Sequence, residues 1–187
     1  MEINLRPARP EDASSLAALS IEVWLGTYLR RGINGFFADY VFGELTPQRM
    51  AEHLDRDTES FIVSQNADGI DGFIRLTQGP RPPAGNGSAL EISTLYVQPR
   101  HHGRGLGRAL LQAGLAQANA LGARHPWLTT NVENTPAIAF YQRQGFAITG
   151  HTHFQIGDQA YPNAVLTFQG TYPLFSFGQK HPWGSSP

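Results

Sequence analysis

The chain has no cysteine, which excludes disulfides, cysteine zinc sites and a cysteine nucleophile. It has almost no net charge, −1 over 187 residues. No overall basic field is available to hold nucleic acid or an anionic membrane, so any anion site has to be local. It also lacks a long apolar run. The opening "MEINLRPARPED" carries charges and prolines where a signal peptide needs an apolar core, and no stretch approaches a membrane span. No internal repeat or low-complexity run is present. The expectation is a cytoplasmic protein without membrane or nucleic-acid partners.

What is present suits a globular domain. A hydrophobic fraction of 41% against 16% charged residues, at this length, is enough to bury a sizeable core. "INLRPA" reads as a first strand and "PEDASSLAALSIEVW" as a helix opened by Pro10. Residues 25–57 read as irregular apart from the short helix "TPQRMAEHL", with Thr46 as cap and Pro47 in its first position. "SFIVSQ" and "GFIRLTQ" form a hairpin across "NADGID", and "ALEISTLYV" is the longest strand candidate. A helix over about 105–121 follows, with Leu106, Leu110, Ala113, Gly114 and Leu121 on one face. Then come a strand in "HPWLTTN", a helix in "TPAIAFYQRQ" capped by Thr135, and a strand pair in "FAITGHTHFQI" and "AVLTFQ". The order β-α-α-β-β-β-α-β-α-β-β indicates a mixed α/β domain over residues 1–170. Residues 171–187 form a C-terminal arm that keeps Phe175, Phe177 and Trp183.

The stretch "PRHHGRGLGRALL" places Gly103, Gly105 and Gly107 at alternating positions before a helix. Bare backbone there makes an anion-binding nest assisted by the helix dipole. A dinucleotide fold needs G-x-G-x-x-G, but Leu110 stands where its third glycine belongs, and a P-loop needs a lysine that is absent here. The competing reading is a tight turn with glycines serving only positive φ.

"LYVQPRHHGRGLGRALL" resembles the acyl-CoA motif of the GNAT family of N-acetyltransferases. Val97 and Pro99 match the end of its strand, and His102, Gly103, Arg104, Gly105, Leu106 and Gly107 fall on its six-residue signature, with His102 where glutamine or arginine is usual. "LTTNVENTPAIAFYQRQGF" is similar to the later motif of the same family, through Asn134, Ala137, Tyr141, Gly145 and Phe146. The resemblance implies a single-domain fold with a mixed, mostly antiparallel sheet of about six to seven strands and about four helices. The sheet would splay between strands four and five. It implies acetyl-CoA as co-substrate and no metal. The pyrophosphate would lie on the amides from His102 to Arg108, the pantetheine arm along Leu95, Tyr96 and Val97, and Asn134 and Tyr141 would meet it from the other side. The pairing would be that of an added strand.

The acceptor implied is a primary amine, which must lose a proton before attacking a thioester because its pKa lies near ~10. Glu91 matches the general base of the histone-acetylating branch. Period-two alternation places Glu91, Ser93, Leu95 and Val97 on one strand face. The other reading of Glu91 is an exposed carboxylate at a strand start. Tyr141 matches the general acid of the family, a phenol able to protonate the leaving sulfur. Without the resemblance, packing would be its reading, and Asn134 could simply cap a helix.

The acceptor region implied comprises Trp24, Tyr28, Phe36, Phe37 and the "HTHFQIGDQAYPN" hairpin, with Asp39 and Asp158 as carboxylates for a cation. "WLGTY", "FQIGDQAY" and "LEI…LYV" are faintly similar to the bacterial polyamine and small-amine branch. A small-molecule amine is the expected partner and a peptide or protein amine the second, with a homodimer compatible with both. The alternatives are a non-catalytic acyl-CoA sensor and, more weakly, a dinucleotide-binding oxidoreductase. His151 and His153 alternate on a strand but lack a third ligand with metal spacing, and His101 reads as solvated.

Overall fold

A computed structural model describes residues 3–29 and 32–172 of the chain. The predicted arm residues Phe175, Phe177 and Trp183 lie outside the described residues, as does the side chain of Tyr28.

The chain opens with β1 (Leu5–Pro7), followed by α1 (Ala13–Tyr28), α2 (Gly35–Glu44) and α3 (Pro47–Leu54). A meander of β2 (Glu59–Gln65), β3 (Ile70–Gln78) and β4 (Leu90–Val97) leads through the glycine stretch into α4 (Leu106–Ala120). The remainder is β5 (Trp127–Asn131), α5 (Thr135–Arg143), β6 (Phe146–Ile156) and β7 (Gln159–Phe168). The sheet order is β1-β2-β3-β4-β5-β7-β6. Every pairing is antiparallel except β4 with β5. This is the mixed, mostly antiparallel α/β architecture expected, with seven strands.

Helix α2 occupies the segment read as irregular. Asn34 caps it, its side chain accepting from the Phe37 amide at 3.1 Å. Its Phe37 and Tyr40 rings pack on Trp24 of α1 with centroids 5.7 and 5.2 Å apart. Tertiary aromatic packing holds this helix despite two glycines, which local propensity counts against. Thr46 caps α3 as predicted, accepting from the Arg49 amide at 3.2 Å. Helix α5 begins one residue earlier than predicted: its cap is Asn134, which accepts from the Ala137 amide at 3.3 Å, and Thr135 is already helical.

Two apolar layers cover the sheet. On one face α4 packs Leu106, Leu110, Leu111 and Leu115 against Ile62, Ile74, Leu76, Leu90 and Ile92. Gly114 lets the helix approach the sheet closely, since a Cβ there would stand 2.4 Å from Ile74 Cδ1. Leu121 lies past the end of α4 and is exposed, so it does not join this face. On the other face Leu16 and Leu19 of α1 and Met50 of α3 cover Phe61, Val63 and Phe73. Just beyond residue 170, the Tyr172 ring packs on Phe168 at 5.2 Å and its hydroxyl donates to the Ala123 carbonyl.

Two irregularities shape the centre of the sheet. Strands β4 and β5 share one register pair, Glu91 with Trp127, after which they part. The pairing of β3 with β4 slips between Arg75↔Thr94 and Leu76↔Ile92, which leaves Ser93 as a bulge. The bulge overturns the expected alternation. Leu90 and Ile92 before it, and Leu95 and Val97 after it, all belong to the α4 layer, while Tyr96 packs on Phe73 in the opposite layer. Glu91 therefore does not share a face with Leu95 and Val97.

Candidate active site

The site begins where β4 ends. Pro99–His101 forms a single 3-10 turn. His102 then closes it twice, its amide donating to the Pro99 carbonyl at 3.2 Å and its Nε2 donating to the Val97 carbonyl at 3.0 Å. The His102 amide, expected at the anion site, is bonded within the turn. His102 is instead a strut. His101 is not solvated: its side chain is only 16% exposed and its Nδ1 lies 3.5 Å from Asp71.

From Gly103 onward the backbone is presented outward. Gly103 and Gly105 sit at φ +76° and +85°, in the left-handed region, and a Cβ at either would meet nothing within 4 Å. Conformation and open space, rather than close packing, explain both glycines. The helix ladder starts with the Ala109 amide donating to the Gly105 carbonyl at 3.0 Å. The amides of Leu106, Gly107 and Arg108 belong to the first turn, which no helical carbonyl reaches. They form a nest at the positive end of the α4 dipole, flanked by the exposed side chains of Arg104 and Arg108. The positive φ of Gly103 and Gly105 is what the tight-turn reading expects, and the same backbone leaves amides suited to a pyrophosphate.

The two sequence motifs converge beside it. A Cβ on Gly107 would lie 3.8 Å from Phe140 Cζ of α5 and 3.9 Å from Val97 Cγ2 of β4. Next to Phe140, Tyr141 is buried between Phe140 and Phe146, with centroids at 5.2 and 5.7 Å. Burial pushes its phenol well above the ordinary tyrosine range. Tyr141 thus keeps its proton at neutral pH, as a proton donor must. The Asn134 Oδ1 is committed to capping α5, so its Nδ2 is the group it can offer a ligand.

Glu91 stands at the closed end of the splay, beside Trp127. It is half-buried, and desolvation raises its pKa above the usual carboxylate value, against the opposing pull of the Arg75 charge and with a further push from Glu59. Arg75 donates to Ser93 Oγ at 3.0 Å, and Glu59 lies 3.6 Å from the same Nε. Four residue steps along β5 separate Trp127 from Asn131, about 13 Å of strand at ~3.3 Å per residue.

At the Asn131 end a pocket of about 370 Å³ opens. Trp24 of α1, Phe37 of α2 and Phe154 and Tyr161 of the β6–β7 hairpin line it, together with Asn131, Glu133 and Asn134 of the β5–α5 turn. Trp24 and Phe37, both expected in the acceptor region, line this one pocket. Asp39 and Asp158 are exposed and outside the described lining; Glu133, which the sequence reading passed over, supplies a carboxylate there. Its position directly before Asn134 in the second motif was the available signal.

Among the described residues no group of three or more His, Asp or Glu side chains is gathered for a metal ion, and His151 and His153 are exposed on β6. No helix among them is long and apolar enough to cross a membrane.

The sequence model of the acetyltransferase (GNAT) family matches residues 28–146. An uncharacterized N-acetyltransferase of Mycobacterium tuberculosis is 32% identical over 120 residues, spanning 64% of this chain and 73% of that protein. The peptidyl-lysine N-acetyltransferase YjaB of Salmonella typhimurium is 26% identical over 173 residues, 90% of this chain and 99% of its own. The PaiA N-acetyltransferase of Thermoplasma acidophilum, solved in complex with coenzyme A, shares the fold with a TM-score of 0.71 at 19% identity, over 90% of this chain and 99% of that one.

Proposed function

The chain belongs to the GNAT family of acetyltransferases and uses acetyl-CoA as co-substrate, and we propose that it acetylates the primary amine of a small molecule by direct attack in a ternary complex. The observation that carries the small-molecule reading is the aromatic-lined pocket of about 370 Å³, within the size range of small-ligand sites. It lies beside the turn that opens α5, the helix of Tyr141.

The nest from Gly103 to Arg108 holds the pyrophosphate, and the unpaired edges of β4 and β5 beyond Glu91 and Trp127 receive the pantetheine arm. Acetyl-CoA supplies the thioester. Glu91, with its raised pKa, takes a proton from the acceptor ammonium, and the free amine attacks the thioester carbonyl, forming the C–N bond as the C–S bond breaks. The length of β5 between it and the pocket makes water the carrier of that proton. Tyr141 Oη gives its proton to the departing sulfur.

A second reading, a lysine side chain as acceptor, is favoured by the match to the peptidyl-lysine acetyltransferase along nearly its whole length. A third, a sensor that binds acetyl-CoA without turnover, is opposed by the presence of both Glu91 and Tyr141.

The test is thiol release from acetyl-CoA against a panel of small amines and lysine peptides, read with a chromogenic disulfide. With no cysteine of its own, the protein adds no background. Release driven by small amines, and lowered in Tyr141→Phe and Glu91→Gln, is expected. Release with peptides alone would shift the acceptor to lysine, and binding of acetyl-CoA with no release from any acceptor would favour the sensor.

A further inference from the structure

We infer that Glu133 selects the acceptor, and that the acceptor is a primary monoamine with an apolar body of about the size of an aromatic ring, its ammonium held at the Glu133 carboxylate. This rests on the acceptor pocket proposed above. Among the described lining residues Glu133 is the only one with a charged side chain. The opposite wall is aromatic: Trp24 and Phe37 lie 5.7 Å apart, and Phe37 and Tyr161 lie 6.2 Å apart. Ile156, at the end of β6, adds an aliphatic floor.

Glu133 is not carried on a loose loop. Its amide donates to Asn131 Oδ1 at 2.8 Å, and the Asn134 amide donates to the Asn131 carbonyl at 2.9 Å. Asn131 is itself buried at the end of β5, and Asn134 caps α5. The backbone that carries the exposed carboxylate is thereby fixed at the β5–α5 turn, on the side from which the helix of Tyr141 starts. An ammonium drawn there faces that helix, while the body of the molecule lies among the rings contributed by α1, α2 and the β6–β7 hairpin. One charge and one apolar body therefore match one carboxylate and one aromatic wall.

The same count disfavours other amines. The second and third ammonium groups of a polyamine would lie against rings with no carboxylate beside them among the described lining residues, and desolvating an unpaired charge is costly. A free amino acid would bring its own carboxylate towards Glu133, a like-charge contact.

The experiment compares 2-phenylethylamine, spermidine and phenylalanine at saturating acetyl-CoA, using the full chain and its Glu133→Gln and Glu133→Asp variants. The expected result is a kcat/KM for 2-phenylethylamine at least about tenfold above that for the other two. Glu133→Gln should raise the KM for 2-phenylethylamine by about tenfold or more, as loss of a charge-assisted contact does. The KM for acetyl-CoA and the melting temperature should hold, and Glu133→Asp should recover part of the loss. Turnover with an unchanged amine KM in Glu133→Gln, or a preference for spermidine or phenylalanine, overturns this inference and leaves the acetyltransferase reading standing. Turnover of none of the three amines, with acetyl-CoA bound, overturns the small-molecule acceptor and this inference together.

Discussion

His102 Nε2 lies 3.0 Å from the carbonyl oxygen of Val97, so the side chain that opens the glycine stretch is bonded back to the end of the strand before it. Because a carbonyl can only accept, the ring nitrogen donates, which fixes the tautomer. Removing the ring frees the turn from β4 and leaves the nest less well aimed. His102→Ala should raise the Kd for acetyl-CoA about three- to tenfold, the equivalent of one hydrogen bond of ~1 kcal/mol. Titration calorimetry reads this directly, with kcat at saturation little changed.

Gly105 needs a different argument, since nothing crowds it. Its φ of +85° costs an L-residue about 1–2 kcal/mol, and the chain would relieve that strain by turning the nest amides away. Gly105→Ala should weaken acetyl-CoA binding by about tenfold or more while lowering the melting temperature by only a few degrees. Equal affinity in the variant would mean that the nest is not the anion site.

The two titrating groups of the site predict its pH behaviour. Desolvation raises Glu91 above the carboxylate value of 4.5, so kcat/KM should fall on the acid side at a pH above that of an ordinary glutamate, and Glu91→Gln should remove that limb. Tyr141, raised by burial, should impose no basic limb below about pH 10. Tyr141→Phe keeps the ring packing and should lower kcat by about 10²-fold, the lower range for a positioned acid.

The buried phenol also has a stability signature. A folded-state pKa above the unfolded value means that the unfolded chain loses its proton first, so stability from Tyr141 is complete below about pH 10 and declines above it. Wild type should lose melting temperature faster than Tyr141→Phe between about pH 10 and 11.

Asp12 gives the opposite slope. Arg6 holds it with two bonds of 2.7 and 2.9 Å, and the Arg9 amide adds a third at 2.8 Å. The Arg6 hydrogen bonds, reinforced by the Arg9 amide and the charges of both arginines, keep its pKa below the ordinary 3.8 despite desolvation. Its contribution is present above about pH 4 and is lost as pH falls towards the folded value. Asp12→Ala should cost about 2–3 kcal/mol at neutral pH, since the part-buried Arg6 loses its carboxylate and keeps only its bonds to Gln65 and the Pro7 carbonyl. The difference from wild type should shrink in acid, as followed by denaturant melts across pH.

Much of this site was legible in the sequence because its signals are local. Glycines that need positive φ, a cap ahead of Pro47 and a hairpin turn are properties of a few adjacent residues. What escaped depends on partners far along the chain. Helix α2 is held by Trp24 across a loop, and the bulge at Ser93 is defined by the slip against Arg75 and Leu76, so no periodicity in β4 alone reveals it. His101 reads as surface until Asp71, 30 residues earlier, is brought to within 3.5 Å. Glu133 was hidden differently: its turn was recognised for Asn134, but only the hairpin and α1 arriving opposite turn an exposed carboxylate into a pocket wall.

The lone register pair between Glu91 and Trp127 has a thermodynamic consequence. A seven-stranded sheet should have two edges; this one has two more inside it, where β4 and β5 part. Amides along that seam are where hydrogen exchange should be fastest within the core of the sheet, because opening there breaks few bonds. A ligand lying in the seam closes it and adds RT ln(1 + [L]/Kd), about 2.7 kcal/mol at a hundredfold excess over Kd. With the pantetheine arm seated in that seam as proposed above, the co-substrate doubles as a reversible staple, and the resistance of the protein to heat and proteolysis should track the acetyl-CoA concentration around it.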